Sequence, residues 1–210
     1  MKKFELTTKF ITNVAGKKLF RIKALVEFGN VKAGELGGYV EKEGNISQDG
    51  NAWVAGNACV DGNATVDGNA TVSGNATVSG NAKVHGNAWV TGNTTVSGNA
   101  TVTGNTEVSG NATVSGNATV SGNAWVSGNA EVSGNTDYAL AQGFGTEFRC
   151  TTFYRGKNKK IMVNCGCFHG DLEEFRKQVK ETRSGKIAKE YLMIADLMEY
   201  HFASEDSDDE

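Results

Sequence analysis

The chain has 210 residues, of which 27 are glycine and none is proline, and its formal net charge is −3. Lys83 is the only Lys or Arg between residues 46 and 136, so this part of the chain lacks the concentrated basic face that nucleic acid requires. No apolar run approaches the roughly 18 residues of a membrane span and no secretory signal follows Met1, so we expect a cytoplasmic protein without membrane or nucleic-acid partners.

Residues 1–44 are predicted to form a β-hairpin that caps the start of a repeat. The segments 4–12 and 18–26 are rich in Phe, Leu, Ile, Val and Thr, and residues 13–16 between them have the composition of a turn. An open sheet end presents unpaired backbone groups that promote aggregation, which is why a cap is expected at this position.

Residues 45–136 repeat the hexad Gly-Asn-Ala-x-Val-x, with a valine at every sixth position from Val54 to Val132. Because side chains alternate along a strand, the valine and the alanine two residues before it should both point inward. Glycine and asparagine tolerate left-handed backbone, so the fifteen Gly-Asn pairs are predicted to be corners. Three six-residue sides would close a triangular coil of 18 residues. About five coils would then stack roughly 4.8 Å apart, with asparagine ladders along the corners.

The hexads resemble the left-handed parallel β-helix of the hexapeptide-repeat proteins, as Val72-Ser73-Gly74-Asn75-Ala76-Thr77 illustrates. That resemblance implies the left-handed winding. Two flanking segments add a narrower resemblance: residues 28–40 (FGNVKAGELGGYV) look like the lead-in of members encoded by phages, prophages and enterobacteria, and residues 164–175 (NCGCFHGDLEEF) are similar to the C-terminal segment of the phage members. The resemblance implies a protein that works inside an infected bacterium, and it carries no settled activity.

Residues 137–203 are predicted to form a small α+β module. Strands are expected over 148–155 and 160–167, around a hairpin turn at 156–159. Asp171 has the properties of a helix N-cap, with Glu174 reaching back as in a capping box, and a second helix is expected from about Lys186 to Phe202. The acidic residues 204–210 are predicted to be a disordered tail. The predicted fold class is therefore mainly β, a left-handed parallel β-helix with an N-terminal β-hairpin cap and a C-terminal α+β module.

His85 is the candidate for enzymatic chemistry within the repeat. The hexapeptide fold is best known from acyltransferases, and that resemblance implies a trimer with a catalytic histidine between two prisms and a loop that binds the acyl donor. His85 follows the inward Val84 and so faces outward, with no acid beside it and no inserted loop to exclude water. We therefore assign no catalytic residue, and an acyltransferase that uses His85 or His169 remains the alternative.

The best candidate for a metal site is a cluster of three cysteines and one histidine, Cys150, Cys165, Cys167 and His169. On a hairpin centred on Lys157 and Asn158, Cys150 would lie opposite Cys165, and the other two would follow on the same face if the strand runs that far. Three thiolates and an imidazole could hold zinc tetrahedrally. Buried thiols acting as small hydrophobes are the alternative, and both interpretations stay open.

All three tryptophans are predicted to share one face of the prism, in the column Trp53, Thr71, Trp89, Glu107 and Trp125. Exposed tryptophan at regular spacing is typical of contact surfaces and can stack on sugars or bases. Three interpretations stay open, a homotrimer seam, a ligand or partner site, and no role, and the candidate binding residues are the three tryptophans and His85. The sequence thus predicts a non-catalytic homo-oligomeric scaffold, expected to be a trimer, that captures a small molecule or host protein to counter host defence. A purely structural assembly protein is the second alternative.

Overall fold

The structure, a computed structural model, describes residues 2–203. Its strands in chain order are β1 Phe4–Thr12, β2 Lys18–Ala24, β3 Leu36–Val40, β4 Trp53–Val54, β5 Cys59–Val60, β6 Thr65–Val66, β7 Thr71–Val72, β8 Thr77–Val78, β9 Lys83–Val84, β10 Trp89–Val90, β11 Thr95–Val96, β12 Thr101–Val102, β13 Glu107–Val108, β14 Thr113–Val114, β15 Thr119–Val120, β16 Trp125–Val126, β17 Glu131–Val132, β18 Tyr138–Ala141, β19 Thr151–Arg155, β20 Ile161–Cys165 and β21 Phe168–Asp171. The helices are α1 Leu172–Thr182 and α2 Gly185–Phe202, and 3-10 turns lie at Glu43–Asn45 and Asn135–Asp137.

The repeat forms a parallel β-solenoid of about five coils with three sheets along its sides. One sheet has the order β16-β13-β10-β7-β4, a second β15-β12-β9-β6, and the third contains β5, β8, β11, β14 and β17. Parallel partners are 18 residues apart, as in the pairing of Val90 with Val108. The predicted coil length is therefore confirmed, and the left-handed winding stays a prediction from the resemblance.

The core of the solenoid is built from the two inward columns of the hexad. All fourteen valines from Val54 to Val132 are fully buried, and so are the alanines two residues before them. Threonine replaces this alanine at Thr94 and Thr106, where the buried hydroxyls donate to the carbonyls of Thr91 and Thr103. The prediction that both columns point inward is confirmed.

Glycine makes the corners because a side chain there would meet the next coil. The fourteen glycines from Gly50 to Gly128 have positive φ, and a Cβ on Gly98 would lie 2.9 Å from the carbonyl oxygen of Gly116. The fifteenth predicted corner is wrong, since Gly134 is extended with φ −144° and precedes a 3-10 turn. The asparagine ladder is confirmed, as in the 3.0 Å bond from Asn81 Nδ2 to Asn99 Oδ1.

The N-terminal hairpin of β1 and β2 is confirmed, and it continues one sheet of the solenoid. β2 pairs with β3, which the sequence did not predict, and β3 pairs in parallel with β5. The third sheet therefore runs unbroken in the order β1-β2-β3-β5-β8-β11-β14-β17. Phe4 and Ile22 are fully buried in the same core cluster as the valines, so the hairpin covers the first coil.

The C-terminal module packs two helices on a four-stranded antiparallel sheet, β18-β19-β20-β21. The predicted capping box at α1 is confirmed: the Glu174 amide donates to Asp171 Oδ1 at 3.0 Å and the Asp171 amide to Glu174 Oε2 at 2.8 Å. Strands β18 and β21 were not predicted. The acidic tail at 204–210 lies outside the described residues. Neither helix of the described chain is long and apolar enough to cross a membrane.

Candidate functional site

The tryptophan face is the outward side of the sheet β16-β13-β10-β7-β4, and we define it by Trp53, Thr71, Trp89, Glu107 and Trp125. Strand register places these residues in line, with Trp53 beside Thr71, Thr71 beside Trp89, and Trp89 between Thr71 and Glu107. Glu107 in turn lies beside Trp125. The predicted column is confirmed, and its three tryptophans differ in exposure.

Trp53 is not exposed, contrary to the sequence prediction. It is 3% exposed, whereas Trp89 is 50% and Trp125 is 37% exposed. The rings of Phe4 and Phe28 pack on Trp53 edge-on, with centroids 6.4 and 5.4 Å away. The residues that precede the repeat fold back over the first coil, so this indole belongs to the core.

Glycine at position 37 allows that close approach. A Cβ on Gly37 would lie 2.6 Å from Cζ2 of Trp53 and 2.5 Å from the carbonyl oxygen of Val54. The indole Nε1 of Trp53 is buried and makes no hydrogen bond within residues 2–203. Trp53 therefore packs as a core residue along one side of the site, and its indole N–H has no hydrogen-bond partner within residues 2–203.

A groove of about 580 Å³ lies between the loop that precedes β3 and the tryptophan face, and we call it the lead-in groove. Trp53, Thr71 and Trp89 line it from the solenoid. Its polar groups include the amides of Asn30, Asn51 and Asn69, the hydroxyl of Ser73 and the carboxylate of Glu35. Asn30 and Glu35 were not predicted as binding residues, because they lie in a loop with no periodicity to mark them.

His85 does not line the lead-in groove. It lies at a corner after β9, half-buried, and its Nδ1 is 3.0 Å from the Thr103 hydroxyl of the next coil. The structure therefore places this candidate binding residue apart from the groove, in contact with a neutral side chain.

The predicted arrangement of the cysteine and histidine cluster is wrong in its register. Cys165 pairs with Thr151 rather than Cys150, because the turn closes from the Gly156 amide to the Lys160 carbonyl at 2.9 Å. β20 ends at Cys165, and Cys167 lies in the turn that follows.

His169 lies on β21, which runs back along β20 and brings it opposite Asn164. Its Nδ1 is 2.5 Å from Asn164 Oδ1. Across residues 2–203, no three His, Cys, Asp or Glu side chains are grouped so that they could hold a metal ion. Burial raises the pKa of the Cys150 thiol, which favours its neutral form. The four predicted zinc ligands are therefore not brought together as a set.

A known family model matches part of the hexad repeat. The model of the YdcK beta solenoid repeat matches residues 70–86, 108–122 and 114–128, all of which lie inside the hexad repeat. No curated protein matches the chain. The coils described above make this chain a β-solenoid repeat protein, and its repeat is similar to that of the matched family.

Proposed function

We propose that this protein is a non-catalytic binding scaffold that takes up a carbohydrate in the lead-in groove and along the tryptophan face. The observation that carries the proposal is the half-exposed indole of Trp89 at the edge of a groove lined by amides and hydroxyls. An aromatic face covers the apolar face of a sugar ring, while amides and hydroxyls hydrogen-bond to its hydroxyl groups.

The charge of the groove disfavours an anionic ligand. Glu35 is the only ionisable residue that lines it in the described chain, and no Lys or Arg does so. Binding to phosphates depends on such cations, so a nucleotide or nucleic acid is a poorer fit than a sugar. The side chains of Asn51 and Asn69 are also held in place, since Asn51 Nδ2 donates to Asn69 Oδ1 at 3.0 Å.

The tryptophan face continues the site beyond the groove. Trp89 and Trp125 lie two coils apart, which corresponds to about 10 Å at the usual spacing of neighbouring strands. Glu107 lies between them and offers a carboxylate to hydroxyl groups. A rigid sheet fixes this spacing, so an elongated sugar chain could contact both indoles without reorganising the protein.

A homotrimer seam is the competing use of the same two indoles, and the prediction of a homo-oligomer rests on the resemblance to hexapeptide-repeat proteins. The phage context and a role against host defence rest on the same resemblance. A ligand site is supported by the lead-in groove, which forms between the loop before β3 and the tryptophan face.

The test is a titration of tryptophan emission with chitohexaose, maltohexaose and mannohexaose, combined with light scattering to measure the mass. We expect saturable binding of one of these oligosaccharides and a loss of about fivefold or more in affinity for W89A, since an indole stacked on a ring contributes about 1 kcal/mol or more. T95A, on another face of the prism, is the matched control and should bind as the parent does.

If none of the three oligosaccharides binds and W89A instead lowers the mass to that of one chain, the tryptophan face is an oligomer seam. Saturable micromolar binding of acetyl-CoA in calorimetry would favour the acyltransferase.

A further inference from the structure

We propose that a second pocket, in the C-terminal module, binds a small organic anion with an apolar body. This pocket, which we call the arginine pocket, has a volume of about 290 Å³. It lies at the turn after β20, against α1 and the first turns of α2. The residues that carry the argument are Arg149, Arg183, Tyr191, Phe168, Phe175 and Val179.

The pocket carries positive charge that the described chain neutralises only weakly. Arg149 has one acidic neighbour, Glu147, at 4.0 Å, and both side chains are more than half exposed. Arg183 donates to the Thr182 carbonyl at 3.3 Å and forms no ion pair within residues 2–203. No Asp or Glu of the described chain lines the pocket.

Arg176, on the same module, shows what a neutralised arginine looks like in this protein. Its guanidinium binds the carboxylates of Glu173, Asp196 and Glu199 at 2.5 to 2.9 Å. These partners raise its pKa further and keep it paired. Arg149 and Arg183 differ from Arg176 because Arg183 pairs with no carboxylate of residues 2–203 and Arg149 only with Glu147 at 4.0 Å, so most of their donors remain available to an anion from solution.

The floor of the pocket is apolar and aromatic. Phe175 and Val179 are 3% and 4% exposed, and the ring of Phe168 packs on Phe175 with centroids 5.5 Å apart. Tyr191 stands edge-on to Phe175 at 5.9 Å. A fully hydrated inorganic ion would leave this floor unused, whereas an aromatic or branched carboxylate or sulfonate would cover it and reach the guanidinium groups at the same time.

Two contacts hold the polar rim in place. The Tyr191 hydroxyl donates to the carbonyl of Phe144 at 3.3 Å, which ties α2 to the loop before β19. The guanidinium of Arg149 lies over Gly166, where a side chain would displace it. Gly166 has φ +60°, so glycine at this turn both fits the backbone and leaves room for the arginine. The rim is therefore partly organised before any ligand binds.

The test uses 8-anilinonaphthalene-1-sulfonate, a sulfonate with an aromatic body, as the probe, and measures its fluorescence with the full chain. We expect saturable binding to the parent and an affinity at least about tenfold lower for R149Q/R183Q, since hydrogen bonds to a charged group are of that strength. K180Q, which removes an exposed charge on α1 outside the pocket, should bind as the parent does. The neutral N-phenyl-1-naphthylamine should bind the parent and the double variant equally.

Equal affinity of the sulfonate for the parent and R149Q/R183Q would overturn the proposal, because the dye would then be reporting apolar surface alone. Both arginines are exposed, so the double variant should keep the melting temperature of the parent. If its melting temperature is lower, the titration is repeated well below that temperature, where the variant is folded. W89A should leave this binding unchanged, which separates the arginine pocket from the proposed carbohydrate site.

Discussion

The side-chain amide of Asn164 donates to the backbone carbonyl of Trp125 across 2.8 Å. Trp125 belongs to β16, the last strand of its sheet, so no further coil is present to bond its backbone. The Trp125 amide in turn donates to the hydroxyl of Thr152 at 2.9 Å. Side chains of the C-terminal module thus take the place of the missing coil and satisfy both backbone groups.

Replacing Asn164 by alanine should lower the free energy of unfolding by about 1 to 3 kcal/mol, because the Trp125 carbonyl would be left buried without its partner. Asn164 is itself 1% exposed and also donates to the Ser127 hydroxyl at 3.0 Å. Urea unfolding measures the change. N30A, at an exposed asparagine, is the control and should change stability by less than about 0.5 kcal/mol; equal effects of the two variants would contradict the role given to Asn164.

A corner glycine should not tolerate alanine. Gly98 has φ +68°, where an L-residue costs about 1 to 2 kcal/mol, and the new Cβ would also press on the carbonyl oxygen of Gly116. We expect G98A to lose about 2 kcal/mol or more in urea unfolding. Gly44 has no positive φ and nothing within 4 Å of its added Cβ, so G44A is the matched control with little change. A G98A variant as stable as G44A would mean that the corners are looser than the structure shows.

Substitution of the two tryptophans next to the lead-in groove should have different effects on the free energy of unfolding. W53A removes a fully packed indole, together with its edge-on contacts to Phe4 and Phe28, and should cost about 3 to 5 kcal/mol. W89A removes a half-exposed ring and should cost about 1 kcal/mol or less. Thermal and urea unfolding of both variants test this, and similar losses would show that Trp53 is not part of the core.

The carboxylate of Asp137 should make the free energy of unfolding depend on pH in the acid range. Burial raises its pKa, but bonds from the Ser133 amide, the Ser133 hydroxyl and the Gly134 amide, with Arg155 beside it, outweigh burial and hold the pKa below its ordinary value of 3.8. Each of these three bonds is 2.9 Å long, and Arg155 Nε is 3.2 Å from the carboxylate. A lowered folded pKa stabilises above the unfolded pKa, and that stability is lost as the pH falls through the folded value.

D137N should therefore be less stable than the parent at pH 7, and the difference should shrink below pH 3.8, where the parent loses its own advantage. Melting temperatures across the acid range measure this. D67N, at an exposed aspartate, controls for the change in net charge. A difference between D137N and parent that stays constant into acid would show that the carboxylate charge does not stabilise the fold.

The repeat could be predicted almost completely because every coil imposes the same requirement. A valine that points inward in one coil must do so in all, so the period alone gave the inward columns, the 18-residue coil and the alignment of the tryptophans. The helix start at Asp171 was also predictable, since a capping box is a local pattern. These features depend on residues close in sequence or on exact repetition.

Features that depend on distant contacts were missed. The burial of Trp53 requires knowing that Phe28 and Gly37 fold back over the first coil, and neither position shows a periodic pattern. The register error at Cys165 came from the turn, where Lys159 adopts φ +62°. This left-handed conformation could not be predicted from a lysine. The arginine pocket joins Arg149 and Arg183 from separate elements, and only the folded chain brings them to one cavity.

Strand β19 is shared between two cores. Tyr154 is buried in the cluster of the valines, and the neighbouring Phe153 is buried in the cluster of the two helices. A run of identical hexads has no internal reason to stop, since each new coil could stack on the last. The phenol ring of Tyr154 closes the apolar core at the end of the last coil, so the repeat ends against a side chain that its own hexads do not supply.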